Sequence, residues 1–268
     1  MRKNRLLELL SFRDRTSFLD GCEKVELSFP DVMHEPGDAM RHVYFPTGSF
    51  ISLVTPMGGK DNLEVALAGD EGIYGVPLAL GVDVSPVHSL VQGGGTAWRM
   101  GAAAFRSELV RMPKLRECID RYIYVLMSQL SQTAGCNRFH VVEQRVARWL
   151  LMTADRSHSS TFRITHEFLA YMLGVRREGI TEAASALQRR GLIGYTRGVV
   201  TIFNRRNALL GWLTWTATKK YAEQKARSAT VERKRSKRAL VLGALAAAGA
   251  VLVFWRHKSA DELPPPAE

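Results

Sequence analysis

Two adjacent arginines, Arg176 and Arg177, followed by Glu178 and Thr181, have residue types and a spacing that predict a defined chemistry. An arginine side chain can donate two hydrogen bonds to O6 and N7 of guanine, and glutamate or threonine can contact neighbouring bases. These groups reach one stretch of bases only when they project together from the first turns of a helix that enters the major groove of DNA. The surrounding residues must therefore start a helix at this point and hold its beginning outward.

The segment from Ile164 to Phe203 predicts that support. Thr165 can cap a first helix, and Gly174 permits the positive-φ corner that a tight turn between two helices needs. The second helix opens with the two arginines and ends at Gly191. Apolar residues at helical spacing line the inner sides of both helices: Phe168, Leu169 and Met172 in the first, and Ile180, Ala183, Ala184 and Leu187 in the second.

Two short β-rich runs follow the second helix, Leu192–Tyr195 and Val199–Phe203, separated by Thr196, Arg197 and Gly198. Such a pair predicts the hairpin of a wing. The alternative is an ordinary helix pair whose arginines are merely solvated. The predicted winged helix-turn-helix would contact DNA through Thr165, Arg176, Arg177, Glu178, Thr181 and Arg197.

The distribution of charge favours DNA contact. Of the 268 residues, 46% are hydrophobic and 24% charged, which predicts one or two folded cores. The net charge of +11 lies entirely after residue 162, because the first 162 residues hold 18 basic and 18 acidic groups. Between residues 163 and 206, eight Arg or Lys residues stand against three Glu, a surplus that suits phosphate contacts.

The sequence contains no signature of an enzyme. It has no P-loop, HExxH pair, nucleophile elbow or closely spaced carboxylate pair, so no catalytic activity is expected. The three cysteines are far apart and odd in number, which predicts reduced thiols rather than a disulfide framework. Without CxxC spacing, no iron–sulfur cluster is expected from Cys22, Cys118 and Cys136.

The N-terminal part predicts a helix followed by antiparallel β-structure. Leu6–Leu19 has helical apolar spacing, and charges interrupt it too often for a signal peptide. From Val25 to about Met100, short apolar runs alternate with turn signals, as in a small β-roll or jelly roll. The runs are HVYF, FISLV, LEVAL and SLV, and the turns are EPGD at 35–38, PTG at 46–48, MGGKD at 57–61, GDEG at 69–72 and QGGG at 92–95.

A long helix is predicted after Phe105, with Pro113 near its start. Its apolar residues recur at three- or four-residue steps, which fits either a parallel dimer seam or a helix packed on its own core. The predicted seam consists of Leu115, Ile119, Tyr122, Leu126 and Leu130. A further helix over Glu143–Thr153 would then lead through the Ser-rich stretch DRSHSSTF into the winged segment.

The C-terminal part has a different composition. Residues 204–238 have a helical pattern and become strongly basic, with nine Lys or Arg in residues 219–238. The 17 residues from Ala239 to Trp255, which include Gly243 and Gly249, carry no charge and are followed by Arg256, His257 and Lys258. As a helix they would span about 25 Å, near the lower limit for crossing a membrane. The alternative is a buried or dimer-packed helix.

These features resemble the Crp/Fnr family of bacterial transcription regulators over about the first 210 residues. The resemblance rests on the winged segment, the EPGD turn and the stretch RHVYFPTGSFISLV at 41–54. It implies an α+β chain with a cyclic-nucleotide-binding-like sensory β-roll at 1–105, a dimerisation helix at 106–140 and a winged helix-turn-helix at 141–210. A basic helical linker at 211–238, a single transmembrane helix at 239–255 and a disordered tail at 256–268 would follow.

The family places an Arg-Glu pair, and a residue three positions beyond the Glu, against the bases. In this chain these are Arg177, Glu178 and Thr181. The next position, an arginine in the cyclic-AMP receptor protein, is Glu182, and Gly179 lies within the helix. The operator sequence therefore does not carry over from the family.

The ligand chemistry of the family does not carry over either. Cyclic-nucleotide binders have a glutamate directly after the second glycine of their binding cassette and an arginine some ten residues later. In this chain Val76 follows Gly75 at the glutamate position, and the arginine position falls near Pro86. A cyclic phosphate would be buried without a cation, so no cyclic nucleotide, cofactor or metal is expected and the effector is unassigned. Scattered single histidines favour ordinary surface or core roles over haem or metal ligation at His34, His42 and His88.

Two functions follow from these patterns. The first is a dimeric, sequence-specific DNA-binding regulator that recognises an inverted repeat, with RNA polymerase as a further partner and an inner-membrane anchor at residues 239–255. By the positive-inside rule its DNA-binding domain would be cytoplasmic. The second is a membrane-anchored ligand-sensing or scaffold module whose winged domain contacts a protein, which Gly179 and Glu182 favour.

Overall fold

Alternating apolar residues in seven short strands build two antiparallel sheets around one core. The structure is a computed structural model that describes residues 3–58 and 61–203. One sheet has the order β1-β7-β3 and the other β2-β6-β4-β5. The strands are β1 (Glu23–Leu27), β2 (Val32–His34), β3 (His42–Pro46), β4 (Phe50–Gly58), β5 (Asp61–Ala68), β6 (His88–Gly93) and β7 (Gly95–Gly101). This roll confirms the predicted antiparallel β-structure.

Aromatic side chains fill the space between the sheets. Phe45 of β3 meets Phe18 and Phe105 edge to face, with ring centroids 5.2 and 6.3 Å away. All three rings are fully buried. Phe18 belongs to α1 (Phe12–Asp20) and Phe105 to α3 (Ala102–Arg111), so the core also holds the helices that enter and leave the roll. A short helix, α2 (Val76–Ala79), follows β5 and precedes β6 along the sequence.

The N-terminal helix is shorter than predicted. A 3-10 turn covers Leu7–Leu9, and α1 begins only after Ser11. The Ser11 hydroxyl accepts a hydrogen bond from the backbone N–H of Asp14 at 3.1 Å, which is the geometry of a helix N-cap. The expectation of one helix over Leu6–Leu19 was therefore wrong, because the serine starts a new helix inside the apolar pattern.

The predicted long helix is α4 (Pro113–Phe139), 27 residues in length. Its apolar stripe packs on the roll: Leu115 and Ile119 are fully buried, and the Tyr122 ring lies against Gly72. These three side chains are covered by the roll and cannot contact a second copy, so a dimer seam cannot include them. Leu126 is partly buried against the same core, and Leu130 is 39% exposed.

The opposite face of α4 is apolar and open. Tyr124, Val125 and Met127 are 72%, 54% and 59% exposed. Sequence periodicity identified one apolar stripe but could not show that the roll of the same chain covers its first half, from Leu115 to Tyr122.

The winged part comprises α5 (Val142–Ser157), β8 (Thr161–Arg163), α6 (His166–Leu173), α7 (Arg177–Arg189), β9 (Ile193–Thr196) and β10 (Val199–Ile202). Its sheet has the order β8-β10-β9. The predicted hairpin is present, with Thr196 inside β9 rather than in the turn. The third strand, β8, arises within the stretch that the sequence suggested was a link.

Ionic, polar and aromatic contacts hold the winged part on the roll. The Arg156 guanidinium lies 2.6 Å from the Glu71 carboxylate, and His158 Nε2 lies 2.7 Å from Asp70 Oδ2. The amide of Gln92 donates to the Thr153 hydroxyl at 2.9 Å, and the rings of Phe29 and Phe168 meet with centroids 5.5 Å apart. The GDEG turn thus supplies two carboxylates to the end of α5.

The predicted membrane segment, Ala239–Trp255 with Gly243 and Gly249, and the basic linker before it lie outside the described residues. Within residues 3–58 and 61–203, no helix is long and apolar enough to cross a membrane.

Candidate nucleic-acid interface

The first helix of the pair, α6, begins as the sequence predicts. The Thr165 hydroxyl accepts a hydrogen bond from the backbone N–H of Phe168 at 3.1 Å, satisfying one of the free donors at the helix start. Leu169 and Met172 are buried, and Phe168 is partly buried against the same core. Thr165 itself is exposed, so this predicted DNA-contacting residue lies on the surface.

The corner between α6 and α7 depends on Gly174. Its φ of 60° and ψ of 45° are left-handed, and its N–H bonds to the Ala170 carbonyl. A Cβ at this position would also lie only 3.0 Å from the Asn62 carbonyl oxygen in the roll. Glycine is required both by the backbone angle and by the close approach of β5.

The second helix, α7, separates a buried stripe from an exposed face. Ile180, Ala183, Ala184 and Leu187 are 0 to 5% exposed, as the sequence predicted. Arg176, which is the N-cap residue, and the α7 residues Arg177, Glu178, Thr181 and Glu182 are all exposed. The helix therefore presents its first two turns outward, with both arginines at its positively polarised end.

Arg177 is held by a neighbour that the sequence did not point to. Its Nε lies 2.8 Å from the Glu167 carboxylate, and the two side chains are 64% and 61% exposed. An exposed pair of this kind is worth about 0.2 to 1 kcal/mol, which orients the side chain more than it stabilises the fold. Among the described residues no partner is seen for the two terminal nitrogens of the Arg177 guanidinium, which can therefore reach a guanine edge.

His166, the first residue of α6, joins the two helices. Its Nδ1 lies 3.0 Å from the Thr181 hydroxyl, and its ring packs on Tyr195 with centroids 4.6 Å apart. The Tyr195 hydroxyl donates to the Ile164 carbonyl at 2.6 Å. Burial, and secondarily the Arg177 charge, lower the pKa of His166, which favours the neutral ring. No sequence pattern pointed to this role, because it depends on a contact between two helices.

The wing turns through Arg197 and Gly198, whose φ angles are 50° and 77°. Positive φ at both central residues is the two-residue hairpin turn that suits twisted strands. Arg197 is exposed at the tip, and Thr196 pairs with Val199 across it.

The segment of the roll that corresponds to the family's nucleotide cassette contains Gly75 and Val76. Gly75, with φ 102°, packs against Val43 and the His42 carbonyl, and Val76 opens α2. His34 Nε2 lies 3.3 Å from the Ser85 carbonyl, and His88 pairs with Glu35. The described residues contain no group of three or more His, Cys, Asp or Glu that could hold a metal, and the three cysteines are free thiols.

Fold and site together define a chain that carries a winged helix-turn-helix on an antiparallel roll and a long helix. A family model described as the Crp-like helix-turn-helix domain matches residues 144–209. No curated protein sequence matches the chain significantly.

Several solved structures share the fold, of which three are described. The c-di-GMP responsive global regulator CLP of Xanthomonas campestris is 16% identical with a TM-score of 0.61, covering 72% of this chain and 100% of its own. FixK2 from Bradyrhizobium japonicum is 11% identical with a TM-score of 0.59, covering 69% and 94%. A CRP-family transcriptional regulator from Thermus thermophilus is 15% identical with a TM-score of 0.57, covering 68% and 92%. The resemblance to the Crp/Fnr family is thereby confirmed: the chain has the fold of these regulators and a Crp-like helix-turn-helix domain.

Proposed function

We propose that this chain is a sequence-specific DNA-binding transcription regulator of the Crp/Fnr type. The observation that supports it is the exposed start of α7, where Arg176 and Arg177 project while the opposite face of the helix is buried. A helix that starts in this way can place an arginine fork against a guanine edge, and the wing arginine Arg197 can contact a phosphate.

The regulator acts as a dimer in this proposal, through the face of α4 that the roll leaves open. Tyr124, Val125 and Met127 supply apolar area on that face, and Ser128 and Ser131 allow a second helix to approach. A parallel pair of these helices would relate two winged domains by a two-fold axis, so the operator would be an inverted repeat.

Selection of bound fragments from random double-stranded DNA tests the proposal. The purified 268-residue chain, kept in mild detergent, should enrich an inverted repeat whose half-sites lie about one helical turn apart. A matched variant, Arg176→Ala with Arg177→Ala, should enrich none. If the unmodified chain binds all sequences equally at moderate salt, the regulator function is refuted.

A membrane tether is the second part of the proposal. The apolar run Ala239–Trp255 and the nine basic residues before it support a single crossing with the winged domain in the cytoplasm. The full chain should then stay in the membrane pellet after high salt and alkaline carbonate, whereas a chain ending at Ser236 should be released. Extraction of the full chain by salt alone would contradict the crossing.

The alternative is a scaffold module whose winged domain contacts a protein. Three exposed carboxylates lie close to the arginines and favour it: Glu167, Glu178 and Glu182. Failure of the DNA selection, together with membrane retention of the full chain, would support this alternative.

A further inference from the structure

We propose that Thr181 presents its methyl group to DNA and thereby selects the 5-methyl of a thymine, and that His166 is the positioning residue that holds it so. This inference rests on the proposed function, because it concerns how α7 recognises a base. Thr181 lies one turn after Arg177 on the exposed face of the helix, where a side chain can reach the base next to that of the arginine.

Both hydrogen-bonding capacities of the Thr181 hydroxyl that matter here are used inside the protein. Its oxygen lies 3.1 Å from the Arg177 carbonyl, to which it donates its only proton. The same oxygen lies 3.0 Å from His166 Nδ1. Since the hydroxyl proton is already committed, this second bond must run from an Nδ1–H of His166 to the threonine oxygen.

His166 is fixed in the orientation that this bond needs. Its ring packs on Tyr195, whose hydroxyl is anchored on the Ile164 carbonyl. The other ring nitrogen, Nε2, is buried and has no hydrogen-bond partner among the described residues. Nε2 is unpaired in either tautomer, and an unpaired buried N–H is rarer in folded proteins than an unpaired acceptor, so the single proton of the neutral ring is assigned to Nδ1.

The hydroxyl oxygen keeps one lone pair, but the group that Thr181 can project away from the helix is its γ-methyl. When a threonine hydroxyl donates to the carbonyl four residues earlier, the hydroxyl is turned toward the helix. The part of the side chain that stays exposed is therefore apolar. In the major groove, only thymine offers a methyl group, which is a partner for an apolar contact.

The test uses uracil, which differs from thymine only in lacking that methyl. In the selected operator, each thymine of a half-site is replaced in turn by uracil, and the affinity of the full chain is measured. One position should lose roughly fourfold in affinity per half-site, the effect of removing one methyl group from a contact. Thr181→Val carries a methyl group at both branches of the side chain, so one is in place without the hydroxyl, and this variant should retain the thymine-to-uracil ratio. Thr181→Ser, which keeps the hydroxyl and loses the methyl, should bring it to about one.

A second pair of variants tests His166. His166→Asn places an amide N–H near the position of Nδ1 and should retain the thymine-to-uracil ratio. His166→Phe keeps the ring packing on Tyr195 without a donor, and should lower the ratio while affinity for random DNA stays unchanged. A purely structural role would instead reduce binding to specific and random DNA alike, and that outcome overturns the positioning role.

The outcomes separate this inference from the function on which it rests. If no operator is selected at all, the proposed function fails. If an operator is selected but no thymine is sensitive to uracil, or if Thr181→Ser keeps the ratio that Thr181→Val loses, then the methyl inference alone is overturned.

Discussion

A buried carboxyl between the roll and α5 should make the stability of this protein depend on pH. Glu64 of β5 is 7% exposed, and burial raises its pKa from 4.5 to about 8, against the opposing effects of the Ser52 hydroxyl and the Arg156 and Arg148 charges. The pKa is thus higher in the folded chain than in the unfolded one. The favourable contribution of the protonated carboxyl is complete below about pH 4.5 and is lost as pH rises through about 8.

The hydrogen bonds around Glu64 support the protonated form. Ser52 Oγ lies 2.8 Å from Glu64 Oε2 and also contacts Gln92 Oε1. A serine hydroxyl has one proton and cannot donate to both oxygens. If Glu64 carries a proton, it donates to Ser52, Ser52 donates to Gln92, and Gln92 donates to Thr153 of α5. Each of these hydrogen bonds then has one donor and one acceptor.

The variant Glu64→Gln isolates the pH dependence of stability that ionisation of Glu64 causes. Its amide can donate to Ser52 as the carboxylic acid does, but it never ionises. The free energy of unfolding of both chains is measured by urea titration from pH 5 to 9. The unmodified chain should lose stability relative to Glu64→Gln by up to about 1.4 kcal/mol per pH unit, with a total of a few kcal/mol and at most about 5. A difference that stays constant from pH 5 to 9 would refute the reasoning, since it would mean that Arg148 and Arg156 keep Glu64 ionised throughout.

Three further predictions concern the recognition helix and the open face of α4. Arg177→Ala should weaken the binding free energy for the selected operator by about 1 to 3 kcal/mol. Arg177→Lys should recover binding to random DNA but not the preference for the operator. Equal losses of affinity for operator and random DNA would show that Arg177 contacts a phosphate. Gly179→Ala should raise the free energy of unfolding by about 0.5 to 1 kcal/mol, because a Cβ there meets no atom of the described residues within 4 Å; a lower urea midpoint would contradict this. Tyr124→Asp should yield monomers in sedimentation, whereas Val110→Asp, on another exposed surface, should sediment like the unmodified chain.

Much of the winged domain could be predicted because its signals are local. Thr165 caps the helix that it was expected to cap, Gly174 takes the left-handed conformation that the tight corner requires, and the Ile180 stripe is buried. Each of these depends on residues within one or two turns of each other, so the sequence alone contains the necessary information.

The parts that sequence patterns missed depend on contacts between distant segments. The stripe of Leu115 and Ile119 has the period of any buried helix face, and periodicity cannot say whether the roll or a second chain covers it. The contact from His166 to Thr181 and that from Arg177 to Glu167 join different helices. β8 has only three residues and alternates too briefly to give a strand pattern.

The GDEG turn has a consequence for building hybrid proteins from this fold. Asp70 and Glu71 belong to the roll, but their partners, His158 and Arg156, stand at the end of α5. A chimera that joined this roll to a foreign winged domain at the end of α4 would leave both carboxylates without these partners, and Glu71 is largely shielded from water. A hybrid that keeps its own α5 keeps both partners, but the donor's recognition helices must then fit the face of α5 formed by Trp149 and Leu150, which belongs to the winged core.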